Sequence, residues 1–346
     1  MEIYPWHNSI GMRLLENKSH LPHALLLSGR KGIGKRDFGL VLAQSLLCQA
    51  PVENGVACNR CSSCNWFQQG NHPDFRLLEP DSGGEMNEPD AEAKGKHPAG
   101  AKKPSAFITV SMIRALLDFT HLSTYAANMR IVLIHPAEAM NPQAANSLLK
   151  TLEEPIPDTL FILISHQQHQ LLPTIRSRCH SIAMPLPSRS EAKEWLQRQQ
   201  VDHPDSLLAQ AGFAPLAAAR LAEGEYQARR HAFLSRVLQE KPLNPLALSS
   251  DYEKIDLSWI INWLQTIAYD LLSIKLTGKS RYLADCALDL PECAKRVNLM
   301  KLIDFQNELA VIQRHVNHPL NTRLVLEQLF LSYLEVGIGH QAASHG

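Results

Sequence analysis

The chain has 346 residues, with 34 lysines and arginines balanced by 34 aspartates and glutamates, and carries 16 histidines. That length predicts two or three domains rather than one small core, and the zero formal charge argues against a self-sufficient nucleic-acid binder with a basic field of its own. No apolar run reaches the roughly 18 residues a membrane span needs. The N-terminal MEIYPWHNSI lacks the basic-then-apolar pattern of a secretory signal, so a cytoplasmic location with reduced cysteines is expected.

In chain order, residues 1–24 hold Trp6 and a short helical stretch, and Leu25–Ser28 is an apolar run that predicts a strand. It ends in Gly29 Arg30 Lys31 Gly32 Ile33 Gly34 Lys35 Arg36, and a helical pattern follows over 35–47. Strand, glycine-spaced turn and helix form the context of a phosphate-binding loop, Gly-x-x-x-x-Gly-Lys followed by Ser or Thr. Gly29, Gly34 and Lys35 match, Gly32 adds a further flexible position, and Arg36 stands where the hydroxyl contact to magnesium belongs. The pattern alone is also compatible with a structural Gly-rich turn.

Cys48, Cys58, Cys61 and Cys64 follow with the spacing C-x9-C-x2-C-x2-C. Four thiolates so spaced can close a tetrahedron around zinc, and a Cys-only shell leaves no position for water, so the site is expected to be structural. An iron–sulfur cluster and a metal-free module are the alternatives. His72 is read as a polar surface residue, and Cys179, Cys286 and Cys293 as partly buried thiols. Residues 79–106, rich in Gly, Pro, Lys and acids, predict a mobile surface insertion, with a charged linker that binds something as the alternative. Order is expected to resume at Phe107–Val110, with Ser111 capping a helix over 112–121.

Arg130–Ile134 predicts a buried strand, 142–153 a helix opened by Pro142, Thr159–Ser165 a second buried strand, Leu171–Ile175 a short turn or helix, and Ser181–Met184 an edge strand. This alternation reads as a parallel sheet covered on both faces. A nucleotide hydrolase of this kind holds magnesium with an acid at a strand end, but the strand through Ile134 ends in His135 Pro136, and Glu138 is late for that role. With Arg36, this removes both metal contacts and predicts a poor hydrolase. Thr174–His180 places Arg176 and Arg178 in an otherwise uncharged stretch. It reads either as a solvated turn or as an arginine presented to a phosphate held by another chain.

After Pro185 and Pro187, Ser188 with Glu191 three residues on predicts a capping box opening a helix over 189–200. Ala211–Glu223 predicts a second helix, and 225–240, 254–277, 293–315 and 320–335 predict an all-helical remainder.

Several motifs together resemble the delta-prime family of bacterial DNA polymerase III clamp-loader subunits, within the AAA+ group. They are Pro22 His23 Ala24 Leu25 Leu26 through Gly34 Lys35, the four-cysteine module with Gly70 Asn71 His72 Pro73 Asp74, Asn146 Ser147 Leu148 Leu149 Lys150 Thr151 Leu152 Glu153 Glu154 Pro155, and Ser177 Arg178 Cys179. The resemblance spans most of residues 1–184, and Asn317–Leu324 resembles the family's last collar helix. It implies an α/β AAA+ P-loop domain over 1–185 with an inserted zinc module over 48–75, a small helical lid over 186–224, and a helical collar for oligomerisation over 225–346.

The resemblance also implies a heteropentamer with gamma or tau motor subunits and a delta subunit, acting on the sliding clamp and primer-template DNA. Within it, Arg178 would reach the ATP of an adjacent motor subunit, and this chain would not bind ATP productively. The motors keep the loop hydroxyl and the Asp-Glu box that are replaced here by Arg36, His135 and Pro136. An ATP-hydrolysing gamma or tau type motor and a zinc-containing DNA-binding protein are the competing readings. Residues 1–184 hold 17 basic against 16 acidic side chains, which gives the second little support.

Overall fold

A computed structural model describes residues 3–80, 107–120, 124–125, 129–239, 242–283, 290–316 and 321–337. They form two compact units, Met1–Glu191 and Ala192–Gly346. The predicted insertion lies outside the described residues except for Glu79 and Pro80, and Cys286 and Asn317–Leu320 also lie outside them.

The first unit is an α/β sandwich. Its elements run α1 (Asn8–Glu16), β1 (Ala24–Ser28), α2 (Lys35–Leu47), α3 (Ser62–Gln68), β2 (Phe75–Leu78), α4 (Val110–Thr120), β3 (Arg130–Ile134), α5 (Pro142–Glu153), β4 (Thr159–Ser165), α6 (Pro173–Arg178) and β5 (His180–Ala183). All five strands are parallel in the order β2-β3-β4-β1-β5. Every residue of β1, β3 and β4 is buried, which is why these strands read as unbroken apolar runs rather than alternating ones.

Alternate residues serve opposite layers. Ala24, Leu26, Val132, Ile134, Phe161 and Leu163 form one core with α4, α5 and α6. On the other face α2 lies so close that a Cβ on Gly39 would sit 2.9 Å from Leu133 and 3.0 Å from Ile164. Glycine is what lets the helix approach the sheet there.

Some sequence expectations need correction. β2 is hidden between the cysteine module and the polar insertion, where only Phe75, Leu77 and Leu78 signal it. Ser111 is inside α4 rather than at its cap, and its hydroxyl meets that of Thr109 at 2.8 Å. Of the segment Phe107–Val110, Ile108 makes a single bridge to Met140. β5 is the edge strand expected, one residue earlier.

Helix α7 (Arg189–Arg198) opens with the predicted capping box: the Glu191 backbone N–H donates to Ser188 Oγ at 3.2 Å and the Ser188 N–H to Glu191 Oε2 at 2.9 Å. The second unit continues with α8 (Pro204–Gln210), α9 (Pro215–Ala222), α10 (Tyr226–Gln239), α11 (Pro245–Tyr252), α12 (Leu257–Thr277), α13 (Leu290–Arg296), α14 (Leu299–His315) and α15 (Thr322–Glu335). The single helix expected over 211–223 begins only at Pro215, which occupies its first turn. The run over 293–315 is broken between α13 and α14, where Asn298 caps α14 through the N–H groups of Met300 and Lys301. Asn244, Asp256 and Asn321 cap α11, α12 and α15 in the same way.

Among the described residues the unit contains no strand. Ala192, Leu196, Leu207, Leu208 and Ala218 form a small core, and a larger one runs through α10–α15 with Trp263, Phe233 and Phe330 fully buried. Asp270, 0% exposed, accepts from Ser280 Oγ and from the N–H groups of Arg281, Tyr282 and Leu283, which anchors the turn after α12.

Candidate functional sites: loop remnant, cysteine centre and rim arginine

In a parallel sheet every strand delivers its C-terminal end to the same rim, the place where α/β proteins bind ligands. Here that rim gathers the Gly29–Gly34 loop after β1, Glu79 after β2, His135 after β3 and His166 after β4. The loop has the expected form. Gly34 is left-handed, at φ +90°, and forms the N-cap of α2. The expected cations are present too, but each faces the chain's own acceptors. Lys35 is 2% exposed, and its Nζ donates to the carbonyl oxygens of Gly29 at 2.7 Å and Arg30 at 2.6 Å. Burial lowers its pKa to about 8, against the attraction of Glu138.

Arg36, in the hydroxyl position, forks onto Glu79: Nε to Oε1 at 2.7 Å and Nη2 to Oε2 at 2.8 Å. His135 Nδ1 meets Glu79 Oε1 at 2.7 Å. Burial pushes the Glu79 carboxyl up, but Arg36 and His135 outweigh it and hold it down at about 2. A carboxylate bridging an arginine and a histidine thus occupies this rim. Glu79 had been read as the first residue of the mobile insertion; it is instead a fixed member of the rim.

Glu138 lies deeper. Its Oε1 accepts the His166 backbone N–H at 2.8 Å, and its Oε2 is buried without a hydrogen-bond partner among the described residues. His166 is edge-on to His135, with ring centroids 5.2 Å apart. Burial, reinforced by Lys35, lowers its pKa to about 3.

The N-terminal segment covers the loop from outside. Tyr4 stacks on Trp6 at 5.1 Å and donates its hydroxyl to Asp37 Oδ2 at 2.8 Å, and Trp6 Nε1 donates to the Ile33 carbonyl at 2.9 Å. A Cβ on Gly34 would fall 2.4 Å from the Tyr4 ring. Neither the Tyr4 cover nor the Glu79 bridge shows in a local pattern, because each joins residues over 25 positions apart.

The four cysteines converge at the far end of α2. Cys48 terminates that helix, and Cys61 caps α3 by accepting the Cys64 N–H. All four Sγ atoms lie within 4.8 Å of one another. Cys48 is 3.6 Å from Cys58 and 3.9 Å from Cys61, and Cys58 is 4.0 Å from Cys64. A zinc tetrahedron with bonds of about 2.3 Å needs sulfurs roughly 3.8 Å apart, so these thiols fit a metal ion and could hold one. Burial pushes the Cys64 thiol up to about 12, helped by Cys61 and Cys48. Burial also opposes ionisation of Cys61, but hydrogen bonds from the Cys64 and Gln49 backbone N–H groups bring it down to about 6; a bound cation would favour the thiolate form of all four.

His72 was expected at the surface and is only 1% exposed. Its Nε2 meets Ser63 Oγ at 2.9 Å and its Nδ1 accepts the Asp74 N–H at 3.0 Å. It therefore ties the cysteine module to β2 and is not a ligand. Cys179 and Cys293, expected to be partly buried, are buried thiols.

Arg178 is the last residue of α6, on another part of the unit's surface. Its side chain is 31% exposed and pairs with Glu153 at 2.5 Å, and its Nη1 donates to the Thr174 carbonyl at 2.9 Å. Arg176, two residues before, turns inward, with a buried Nε that lacks a partner among the described residues.

The family profile described as "DNA polymerase III, delta subunit" matches residues 12–187, and that described as "DNA polymerase III, delta subunit, C terminal" matches 225–334. The DNA polymerase III subunit delta′ of Pseudomonas aeruginosa is 34% identical over 96% of this chain and 97% of that protein. The subunit of the same name from Escherichia coli is 29% identical over 79% of this chain and 77% of its own length. Among solved structures, a DNA polymerase III gamma subunit-related protein from Thermotoga maritima is similar at a TM-score of 0.46 and 18% identity, covering 95% of this chain and 99% of that one. The likeness is loose at that score. On the sequence matches, the chain belongs to the DNA polymerase III delta-subunit family and, within it, to the delta′ subunits.

Proposed function

We propose that the chain is the non-hydrolysing member of a clamp loader, assembled with gamma or tau motor subunits and a delta subunit to place a sliding clamp on primer-template DNA. In this reading residues 1–185 form an AAA+ type domain, 186–224 a lid and 225–346 a collar through which subunits associate. Cys48, Cys58, Cys61 and Cys64 hold a structural zinc, which supplies a fixed cross-link and no reaction step. Gly29, Gly32, Gly34 and Lys35 keep the loop's architecture without productive ATP binding. Arg178 completes the ATP site of an adjacent motor subunit, where a trans guanidinium neutralises charge developing on the transferred phosphoryl group.

The observation that carries the reading is the state of the loop. Lys35, 2% exposed, is spent on the Gly29 and Arg30 carbonyls, and Arg36, which stands in the hydroxyl position, is paired with Glu79. Hydrolysis in this chain would have to displace the Glu79 pair before magnesium could bridge two phosphates. Reconstitution with the motor and delta subunits tests the reading. The assembly should load clamps and show DNA-stimulated ATP turnover only when this chain is present, and the isolated chain should have negligible turnover. A robust turnover by the isolated chain that Lys35→Ala abolishes would establish the motor reading instead.

A further inference from the structure

We infer that Glu153 is a positioning residue for Arg178, orienting the guanidinium before the neighbouring phosphate arrives. This rests on the trans role proposed for Arg178. Glu153 is the last residue of α5 and Arg178 the last of α6, so two packed helices bring their ends together at one edge of the unit. Arg178 Nη2 meets Glu153 Oε1 at 2.5 Å. Arg178 Nη1 donates to the Thr174 carbonyl at 2.9 Å and to Ser177 Oγ at 3.3 Å. Both Nη atoms are therefore held, and the plane of the fork is set by acceptors from two helices.

A lone surface arginine would sample many rotamers and lose that freedom on docking. Here much of the ordering is complete before the subunits meet. The exposure of the pair also matters. Glu153 is 49% exposed, and the bonds to Glu153, Thr174 and Ser177 use three of the guanidinium's five N–H donors, so the other two can meet a phosphate while the pair stays in place. Glu154, the next residue, is an exposed acid at the same helix end and serves as the control.

The test uses the reconstituted assembly with loop-lysine substitutions in every motor subunit except the one facing Arg178, and single-turnover ATP hydrolysis on primed DNA. Glu153→Ala should slow the chemical step about two- to fivefold, the scale of an exposed ion pair, without changing the motor's ATP affinity. Glu153→Gln, which can still accept a hydrogen bond, should recover most of the rate, and Glu154→Ala should match wild type. Adding Glu153→Ala to Arg178→Ala should cost nothing further, since a positioning residue has no effect once its client is gone.

A Glu153→Ala rate at or above wild type would overturn the inference. So would a Glu153→Gln rate no better than that of Glu153→Ala, or an equal loss with and without Arg178. If Arg178→Ala slows the step and Glu153→Ala does not, the trans arginine stands and only the positioning role falls. If Arg178→Ala itself leaves the rate unchanged, both fall.

Discussion

The two ends of α2 have been treated differently. At its C-terminal end Cys48 belongs to a thiol set that is complete, with sulfur spacings that suit a tetrahedral ion. At its N-terminal end the loop keeps its glycines and lysine, but Arg36, Glu79 and His135 form an ion cluster of the chain's own. One end could hold a metal that brings its charges together; the other pairs Arg36 with Glu79 inside the chain. On the proposed reading, α2 and its surroundings act as scaffold. The proposed chemistry belongs to the surface arginine at the end of α6.

Removing the metal should produce the largest effect and sharpen the comparison. The protein prepared without chelators should contain about one zinc, and Cys61→Ser or strong chelation should remove it. Because structural zinc binding is folding free energy of about 10 kcal/mol or more in small modules, the melting temperature should fall further than for any other variant here. The helical far-UV signal of the second unit should persist. Metal analysis finding no zinc would remove the contrast altogether.

Glu79→Ala comes next. It strands Arg36 and His135 together and should cost about 1–2 kcal/mol in denaturant unfolding, less than a fully buried pair because the groups are partly exposed. No measurable change would mean that the cluster is incidental.

Acid should act on the same end of α2. His166 and Glu79 have pKa values of about 3 and about 2 in the fold, below their ordinary 6.5 and 4.5. The unfolded chain therefore binds more protons, and stability must fall as pH falls. The histidine contribution is lost from pH 6.5 downward and the Glu79 contribution from pH 4.5 toward 2. The decline above pH 4.5 should be shallower in His166→Asn, with His7, held by burial at about 4, supplying the remainder, and the decline below it shallower in Glu79→Gln. The smallest expected effect is that of Arg36→Thr on ATP turnover. It restores the hydroxyl but leaves His135, the bound Lys35 and the Tyr4 cover, so the isolated chain should stay inactive in a phosphate-release assay.

What was legible in the sequence was local. Gly29–Lys35, the cysteine spacing, the buried runs of β1, β3 and β4, and the Ser188–Glu191 box each depend on residues within a few positions of one another. What was not legible joins distant segments. Glu79 reaches Arg36 from 43 positions away, and its own neighbours, a polar insertion, disguised it. His72 looked solvated because nothing nearby announces that Ser63 and the Asp74 backbone enclose it. Pro215 and Asn298 were read as passing through helices, although Pro at a first turn and Asn at a cap are start signals that should have divided them. The pairing of Arg178 with Glu153 depends on two helix ends meeting, which only the packing of α5 on α6 determines.

On the proposed reading, this chain has no use for its own nucleotide loop and supplies an arginine to a neighbour's. Lys35→Ala and Arg178→Ala, each placed in this subunit alone within the reconstituted assembly, test it most directly through single-turnover ATP hydrolysis at the adjacent motor site on primed DNA. Lys35→Ala should match wild type, while Arg178→Ala should slow that site by up to the roughly 10³–10⁵ that trans arginines contribute in phosphoryl transfer. The opposite pattern, with Lys35→Ala slow and Arg178→Ala at the wild-type rate, would contradict this reading.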